Sequence, residues 1–411
     1  MKIVVAHNHY GEFAIGGEAN VFRQEVDLLR RFGHEVETLE HTNAEITRLP
    51  ALRKLTFPLR TGFSKEIYAE ATALFRRFRP DVLHVHNYKY VFTPAIFRAA
   101  QDCGVPSVLT LHNFRLVCPG GQLRRGTVLC EECLTKNPIR ELWRKDCASK
   151  TSARFLQYLF YRQTRERVLR DVDGFIALSQ FAKEKFALGG IPKEKIFVKP
   201  NFIFDPRKDP KFKETGDKGD GKDAKDSDVK KRAVFIGRLA SEKGARFLID
   251  AWRDVDMPLL VIGDGPEAES LRKDAPNSVL FLGAKTREET LATLENALFL
   301  AFPSVWYEAA PLALTLMEAA ALGVPSIATN IGGREDVIGG ARAGLLFAPN
   351  DREAFVDAVK KLQNEPELAQ ELGRNARKMY ERDFTPETNY AILESIYNAT
   401  RKNFERKRKA S

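Results

Sequence analysis

A rhythm of short apolar runs between amphipathic stretches limits this chain's fold more than any other feature. Residues 3–6, 35–39, 82–86, 107–111, 174–178 and 195–198 are brief and rich in Val, Ile, Leu or Phe, and helical patterns separate them, the first carrying Val21, Val26, Leu28 and Leu29. Apolar strands spaced by helices build a parallel sheet covered on both faces. The alternating run 35–39 reads as a sheet edge. A second series follows at 233–237, 259–263, 279–283, 298–302, 326–329 and 344–347. The two series share an architecture and no short sequence repeat. The expected fold is α/β, two Rossmann-like domains facing across a cleft, with ligands at the carboxyl ends of the strands.

Residues 205–231 interrupt the rhythm: 17 of these 27 are Asp, Glu, Lys or Arg. Such a stretch buries too little to offset its ordering entropy and reads as a mobile linker. The expected division is an N-terminal domain over 1–204 with a cysteine-rich insertion at about 118–147, and a C-terminal domain over 232–384. Residues 385–411 would form a helix returning to the N-terminal domain, ending in a basic tail. With 44% hydrophobic and 29% charged residues, the 411-residue chain is no disordered, collagen-like or coiled-coil protein. No apolar run reaches the ~18 residues of a membrane span. The apolar stretch in MKIVVAHNHY is shorter than a signal-peptide core, so a cytoplasmic protein is expected. Lys and Arg exceed Asp and Glu by 65 − 55 = 10, which favours anionic partners such as nucleotide phosphates or acidic lipids. Nucleic acid is not expected: no zinc finger of that type, aromatic-basic RNP strand or fitting GXXG is present.

Two strand ends carry glycine and charge. Run 233–237 ends in Gly237-Arg238-Leu239, then Ser241-Glu242-Lys243-Gly244 and a helix. A guanidinium fork and an ammonium five residues apart suit a diphosphate, although a surface ion pair with Glu242 is the simpler reading of the motif alone. Gly263-Asp264-Gly265-Pro266 closes another strand and reads alone as a tight turn. Gly16-Gly17 after the first strand would let a phosphate approach backbone. No GxGxxG with a downstream acid is present, which disfavours NAD.

The stretch from Pro303-Ser304-Val305-Trp306-Tyr307-Glu308-Ala309-Ala310-Pro311-Leu312 to Met317-Glu318 and Gly323-Val324-Pro325 is the most informative. Together with Gly16-Gly17, Thr110-Leu111-His112-Asn113, Pro200-Asn201-Phe202, Gly237-Arg238-Leu239, Glu242-Lys243-Gly244, Gly263-Asp264-Gly265-Pro266 and Ile331-Gly332-Gly333, it resembles the retaining glycosyltransferases of family 4, which have the GT-B fold. The matching features span nearly the whole chain. The resemblance implies a nucleotide-sugar donor and a glycan, lipid-linked or small-molecule acceptor, with no metal in catalysis. Arg238 and Lys243 would hold the diphosphate and steady the charge on the leaving nucleotide, where electrostatic catalysis is strongest. Glu318 would bond the ribose. Glu308 would contact sugar hydroxyls, and backbone near Ala310, Pro311 and Leu312 would approach sugar or phosphate. His112 would sit near the reacting sugar, and Gly16 and Gly17 would close onto the phosphates. A nucleotide-sugar-binding subunit without turnover, and a GT-B-fold epimerase, are the alternatives.

One departure stands out. Seven residues separate the family's two glutamates, whereas nine separate Glu308 from Glu318. Two extra residues within a helix would turn one end by about 200°. Either the extra pair lies in the loop before the helix, or Ala310 takes the first glutamate's place.

Outside that site, Cys118, Cys130, Cys133 and Cys147 form C-x11-C-x2-C-x13-C, a spacing that can complete a tetrahedron of thiolates in a structural zinc site. An iron–sulfur cluster and unliganded thiols are the other readings. Cys103 reads as a small buried residue. His84 and His86 alternate along a strand and share a face; they fit a core or cleft edge better than a metal. Two basic-aromatic stretches remain. Residues 52–65 include Phe57, Phe63 and Lys65, and residues 139–170 include Trp143, Phe155, Tyr158, Phe160 and Tyr161 among arginines. They either make a peripheral contact with an anionic membrane, at its inner face, or pack on the core and coat a helix.

Overall fold

The computed structural model describes all residues except 12–16, 49, 51–56, 58–60, 127, 145–146, 148–150, 211, 213–231, 311 and 411. Gly16, Pro311, most of 52–60 and the expected linker from 213 onward therefore lie outside the described residues. The chain divides into two compact units, one made of Met1–Asn201 with Asn389–Ser411 and the other of Phe202–Thr388.

The first unit carries β1 (Lys2–His9), β2 (Glu35–Thr42), β3 (Val82–Asn87) and β4 (Ser107–Leu111). A small antiparallel hairpin, β5 (Arg124–Arg125) with β6 (Val128–Leu129), precedes β7 (Gly174–Ala177) and β8 (Ile196–Val198). Apart from the hairpin, the strands pair in parallel in the order β2-β1-β3-β4-β7-β8, with β2 at the edge. Ile3, Val5, Val82, Val108 and Ile176 form one core face, covered by Phe22, Val26 and Leu29 of the helix Gly17–Arg31. Leu393, Ile396 and Tyr397 close the same core from the helix Pro386–Ala410, at the spacing of one helical stripe.

The second unit carries β9 (Ala233–Ile236), β10 (Leu259–Ile262), β11 (Val279–Gly283), β12 (Phe299–Phe302), β13 (Ser326–Thr329) and β14 (Gly344–Phe347). They pair in parallel as β11-β10-β9-β12-β13-β14. Successive side chains alternate between two buried faces: Val234, Leu260, Leu300 and Ala328 on one, Ala233, Leu259, Phe299 and Ile327 on the other. The unit begins earlier than charge alone indicates. Phe212 and Ile203 are buried in its core, and Asp205 pairs with Arg377 at 2.7 Å, so packing persists past residue 205.

Strand order reverses between β1 and β3 in the first sheet and between β9 and β12 in the second. At such a reversal the loops leave in opposite directions and open a crevice at the carboxyl ends of the strands.

Candidate functional site

In the second unit, the loops that follow β9 and β12 flank the reversal. The β9 loop runs Gly237-Arg238-Leu239 into a single 3-10 turn, Ser241–Lys243. It is held from behind by the β10 exit: the Leu239 amide donates to the Asp264 carbonyl at 2.9 Å, and the Glu267 amide to the Leu239 carbonyl at 3.1 Å. A Cβ on Gly263 would lie 2.0 Å from the Gly237 carbonyl oxygen, and one on Gly265 2.4 Å from that of Leu239. Gly263-Asp264-Gly265 thus serves as a backbone clamp that seats the Arg238 loop. Gly244, at φ 72°, comes equally close to the β12 exit, where a Cβ would meet the Pro303 carbonyl at 2.1 Å.

That approach brings Lys243 to Glu308. Lys243 Nζ lies 2.8 Å from Glu308 Oε1 and 5.5 Å from the Trp306 ring centre. The same carboxylate oxygen accepts Trp306 Nε1 at 3.3 Å and Ser304 Oγ at 3.4 Å. Burial pushes the Glu308 carboxyl up, but Lys243 and Arg334 outweigh it and hold it below the usual carboxylate range. Arg334 is 1% exposed. It donates to Thr329 Oγ1 at 2.9 Å and stacks 4.9 Å from the Phe302 ring centre. Burial pulls its guanidinium down to about 10, opposed by Glu308, so it remains a cation at neutral pH. Arg238 pairs with Glu242 at 2.8 Å, while 64% of its side chain stays exposed.

Glu318 sits apart from this cluster, on the helix Leu314–Ala321, with Arg287 at 3.4 Å. Burial raises its carboxyl above the ordinary value against the pull of Arg287. The helix starts only at Leu314, so Glu308 and Ala310 both lie in the loop before it and Glu318 alone is helical. Ala310 and Leu312 are buried there, Leu312 within the core.

In the first unit, Gly17 opens its helix with nothing within 4 Å of where a Cβ would stand. His112 lies one residue past β4, and its Nε2 is 3.0 Å from His86 Nδ1. Behind it is a sealed network. His86 Nε2 is 3.2 Å, and His84 Nδ1 2.8 Å, from Glu25 Oε1. Lys199 Nζ is 2.7 Å from Glu25 Oε2 and 3.1 Å from Asn389 Oδ1. Glu25, His84, His86 and Lys199 are all buried. Burial, and then the charge at His86, drives His112 well below the usual imidazole range. Lys89 flanks the small concavity beside His112, and burial pulls its ammonium down to about 7.

Glu25, Lys199, Lys89 and Arg334 are absent from the sequence reading. Glu25 had a signal: a charged residue on the apolar stripe of Val21, Phe22, Val26 and Leu29. Arg334 directly follows the singled-out Gly332-Gly333.

The four clustered cysteines frame the β5–β6 hairpin and none is in a disulfide. The Cys133 thiol beside Cys118, with the backbone N–H groups of Leu123, Gly121 and Gly120, pulls the Cys118 thiol below its ordinary value against the effect of burial. A Cβ on Gly120 would lie 3.8 Å from both Cys118 Sγ and Cys147 Cβ. Cys103 is half-buried rather than sealed.

Two Rossmann-like parallel sheets in one chain, the second with cations beside its reversal point, define the GT-B class. Its solved members share the architecture: the Anabaena protein HepE, crystallised with UDP, superposes with a TM-score of 0.66 at 18% identity, covering 97% of this chain and 100% of that one. Residues 15–205 match the profile described as Glycosyltransferase Family 4, and residues 220–379 the profile described as Glycosyl transferases group 1. The chain belongs to this group 1, family 4 glycosyltransferase family. The D-rhamnosyltransferase WbpZ of Pseudomonas aeruginosa is 33% identical over 157 residues, 37% of this chain and 41% of that protein. The capsular polysaccharide glycosyltransferase CapM of Staphylococcus aureus is 26% identical over 287 residues, 67% of this chain and 74% of that protein. This chain thus spans about two fifths of the rhamnosyltransferase's length.

Proposed function

We propose that the protein is a retaining glycosyltransferase that moves a sugar from a nucleotide-sugar to a glycan, lipid-linked or small-molecule acceptor. The observation that carries this reading is the pair Arg238 and Lys243 at the reversal of the second sheet, each held by one carboxylate that a phosphate can replace. On this reading the donor diphosphate takes Lys243 from Glu308 and Arg238 from Glu242. Glu308, freed from Lys243 and backed by Arg334, turns to the sugar hydroxyls, and Glu318 bonds the ribose. As the glycosidic bond lengthens, negative charge gathers on the leaving phosphate, where the fixed cations stabilise it without a divalent metal. On the family's front-face route the same phosphate helps take the acceptor proton. The relatives named for rhamnosyl and capsular polysaccharide transfer support a glycan-building role. Turnover of labelled nucleotide-sugars, with and without a chelator, tests the reading; binding without turnover would mark an idle subunit instead.

The cysteine cluster we assign to a structural zinc ion, supported by the spacing of the four cysteines, by the contact of Cys118 with Cys133 and by the position of Cys147 beside Gly120, next to Cys118. Membrane contact belongs to the same proposal. Among the described residues no helix is long and apolar enough to cross a membrane. Trp143 and Phe155 are nonetheless 43% and 49% exposed beside Tyr158, whereas Phe160 and Tyr161 are buried. On this reading they touch the inner face of a membrane carrying a lipid-linked acceptor. Sedimentation with anionic vesicles at low salt and release at moderate salt is expected; no binding at low salt would remove the contact and leave a soluble acceptor.

A further inference from the structure

The hydrogen bonds behind His112 determine where its proton sits. Lys199 is an ammonium that can only donate, and its nearest acceptors are Glu25 Oε2 at 2.7 Å and Asn389 Oδ1 at 3.1 Å. Glu25 is therefore a carboxylate, and an ionised carboxylate can only accept. The two opposite charges cancel, so a further buried imidazolium would stand uncompensated, and the histidines are neutral. His86 Nε2, 3.2 Å from Glu25 Oε1, must carry its ring's one proton. His86 Nδ1 is then a lone pair. His112 Nε2, 3.0 Å away, must in turn carry the proton of its own ring. His84 fits the set: Nδ1 lies 2.8 Å from both Glu25 Oε1 and the Tyr397 hydroxyl oxygen, two acceptors that its N–H can serve, and Nε2 accepts from the Thr110 hydroxyl at 2.7 Å.

We propose that Glu25 is a positioning residue: through His86 it fixes His112 with the proton on Nε2, leaving Nδ1 to accept a hydrogen bond from a substrate hydroxyl. The inference rests on the reading that His112 faces the sugar. A metal ion is the rival occupant, because Glu25, His84 and His86 offer ligand atoms within 4.8 Å of one another. Lys199 already neutralises the carboxylate, and both imidazole nitrogens facing Glu25 need protons to be satisfied, so the site is filled by protons.

Glu25→Gln distinguishes positioning from mere packing. The glutamine carbonyl stays with Lys199 and its NH2 turns to the imidazoles. His86 then carries its proton on Nδ1 and donates it to His112 Nε2, and the His112 proton moves to Nδ1. The probe is 15N NMR of the full chain labelled at histidine, with His112→Gln used to assign the signal. In the native chain at neutral pH we expect His112 neutral and protonated at Nε2. In Glu25→Gln we expect it protonated at Nδ1, with kcat at least tenfold lower. His86→Leu keeps the Glu25–Lys199 pair and guards against a misfolded Glu25→Gln; here His112 exchanges between tautomers. A native His112 protonated at Nδ1 or doubly protonated, or an unchanged tautomer in a folded variant, overturns the proposal. The spectra read the tautomer even if no nucleotide-sugar is turned over, so a failure of the transferase reading is seen separately.

Discussion

At the scale of single residues, Lys243 and Arg238 carry the proposed chemistry. Each has a carboxylate partner in the free chain, so a bound diphosphate exchanges one ion pair for another. The gain is differential: the partner carboxylates hold a fixed charge, whereas the phosphate gains charge as the bond breaks. Lys243→Ala or Arg238→Ala should therefore cost roughly 2–4 kcal/mol at the transition state, a loss of about 30-fold to 10³-fold in kcat/KM, with the fold intact. Lys243→Ala also strands Glu308, whose carboxyl Lys243 helps to hold ionised. Unchanged turnover in either variant would contradict the assignment. These two cations were legible because they sit in sequence between a strand and a glycine. Arg334 and Lys199 were not, because a lone cation in an apolar context looks the same whether its carboxylate is across the sheet or absent.

At the scale of elements, the strands of both parallel sheets were legible, since a strand buried on both faces has to be a short apolar run. The β5–β6 hairpin was not: its strands are two residues each, and no periodicity develops over two residues. Its stability has to come from elsewhere, because such a short pairing is marginal alone. On the zinc proposal, the metal would be that source. One zinc per chain is expected by elemental analysis of protein purified without added metal, and its removal should loosen residues 118–135 in hydrogen exchange while the parallel sheets stay protected. Folded, metal-free protein with four titratable thiols would reject the site. The start of the second unit at Phe202 is hidden in the sequence for a related reason: Ile203 and Phe212 are isolated apolar residues among charges, and only the folded core shows where they go.

Across the whole molecule, titratable burial is unevenly divided. All seven histidines lie within the first 112 residues, hence in the first unit. Burial pulls His84 down to about 4 and His7 to about 3, and holds His112 well below its usual range. Unfolded histidines bind protons near pH 6.5, and these folded ones do not until far lower. The stability they contribute is thus complete above about pH 6.5 and declines as pH falls toward 4. Glu18, raised by burial to about 7, and Asp173, raised by burial above its ordinary value, work in the opposite direction over part of that window, against these histidines and His34, which burial also lowers. Moving from about pH 7 to about pH 4.5 should therefore raise hydrogen exchange in the sheet of the first unit more than in that of the second. Equal protection loss in both units would contradict this division.

The central claim is that the second sheet's reversal point holds a nucleotide-sugar for transfer. Its most direct measurement is release of nucleoside diphosphate from a panel of labelled nucleotide-sugars, comparing the native chain with Lys243→Ala in the presence of chelator. Transfer or slow hydrolysis of at least one donor by the native chain is predicted, undiminished by the chelator, with retention at the anomeric carbon and a loss of about 30-fold or more in the variant. No donor bound or turned over by the folded native chain, or turnover that survives Lys243→Ala, would contradict it.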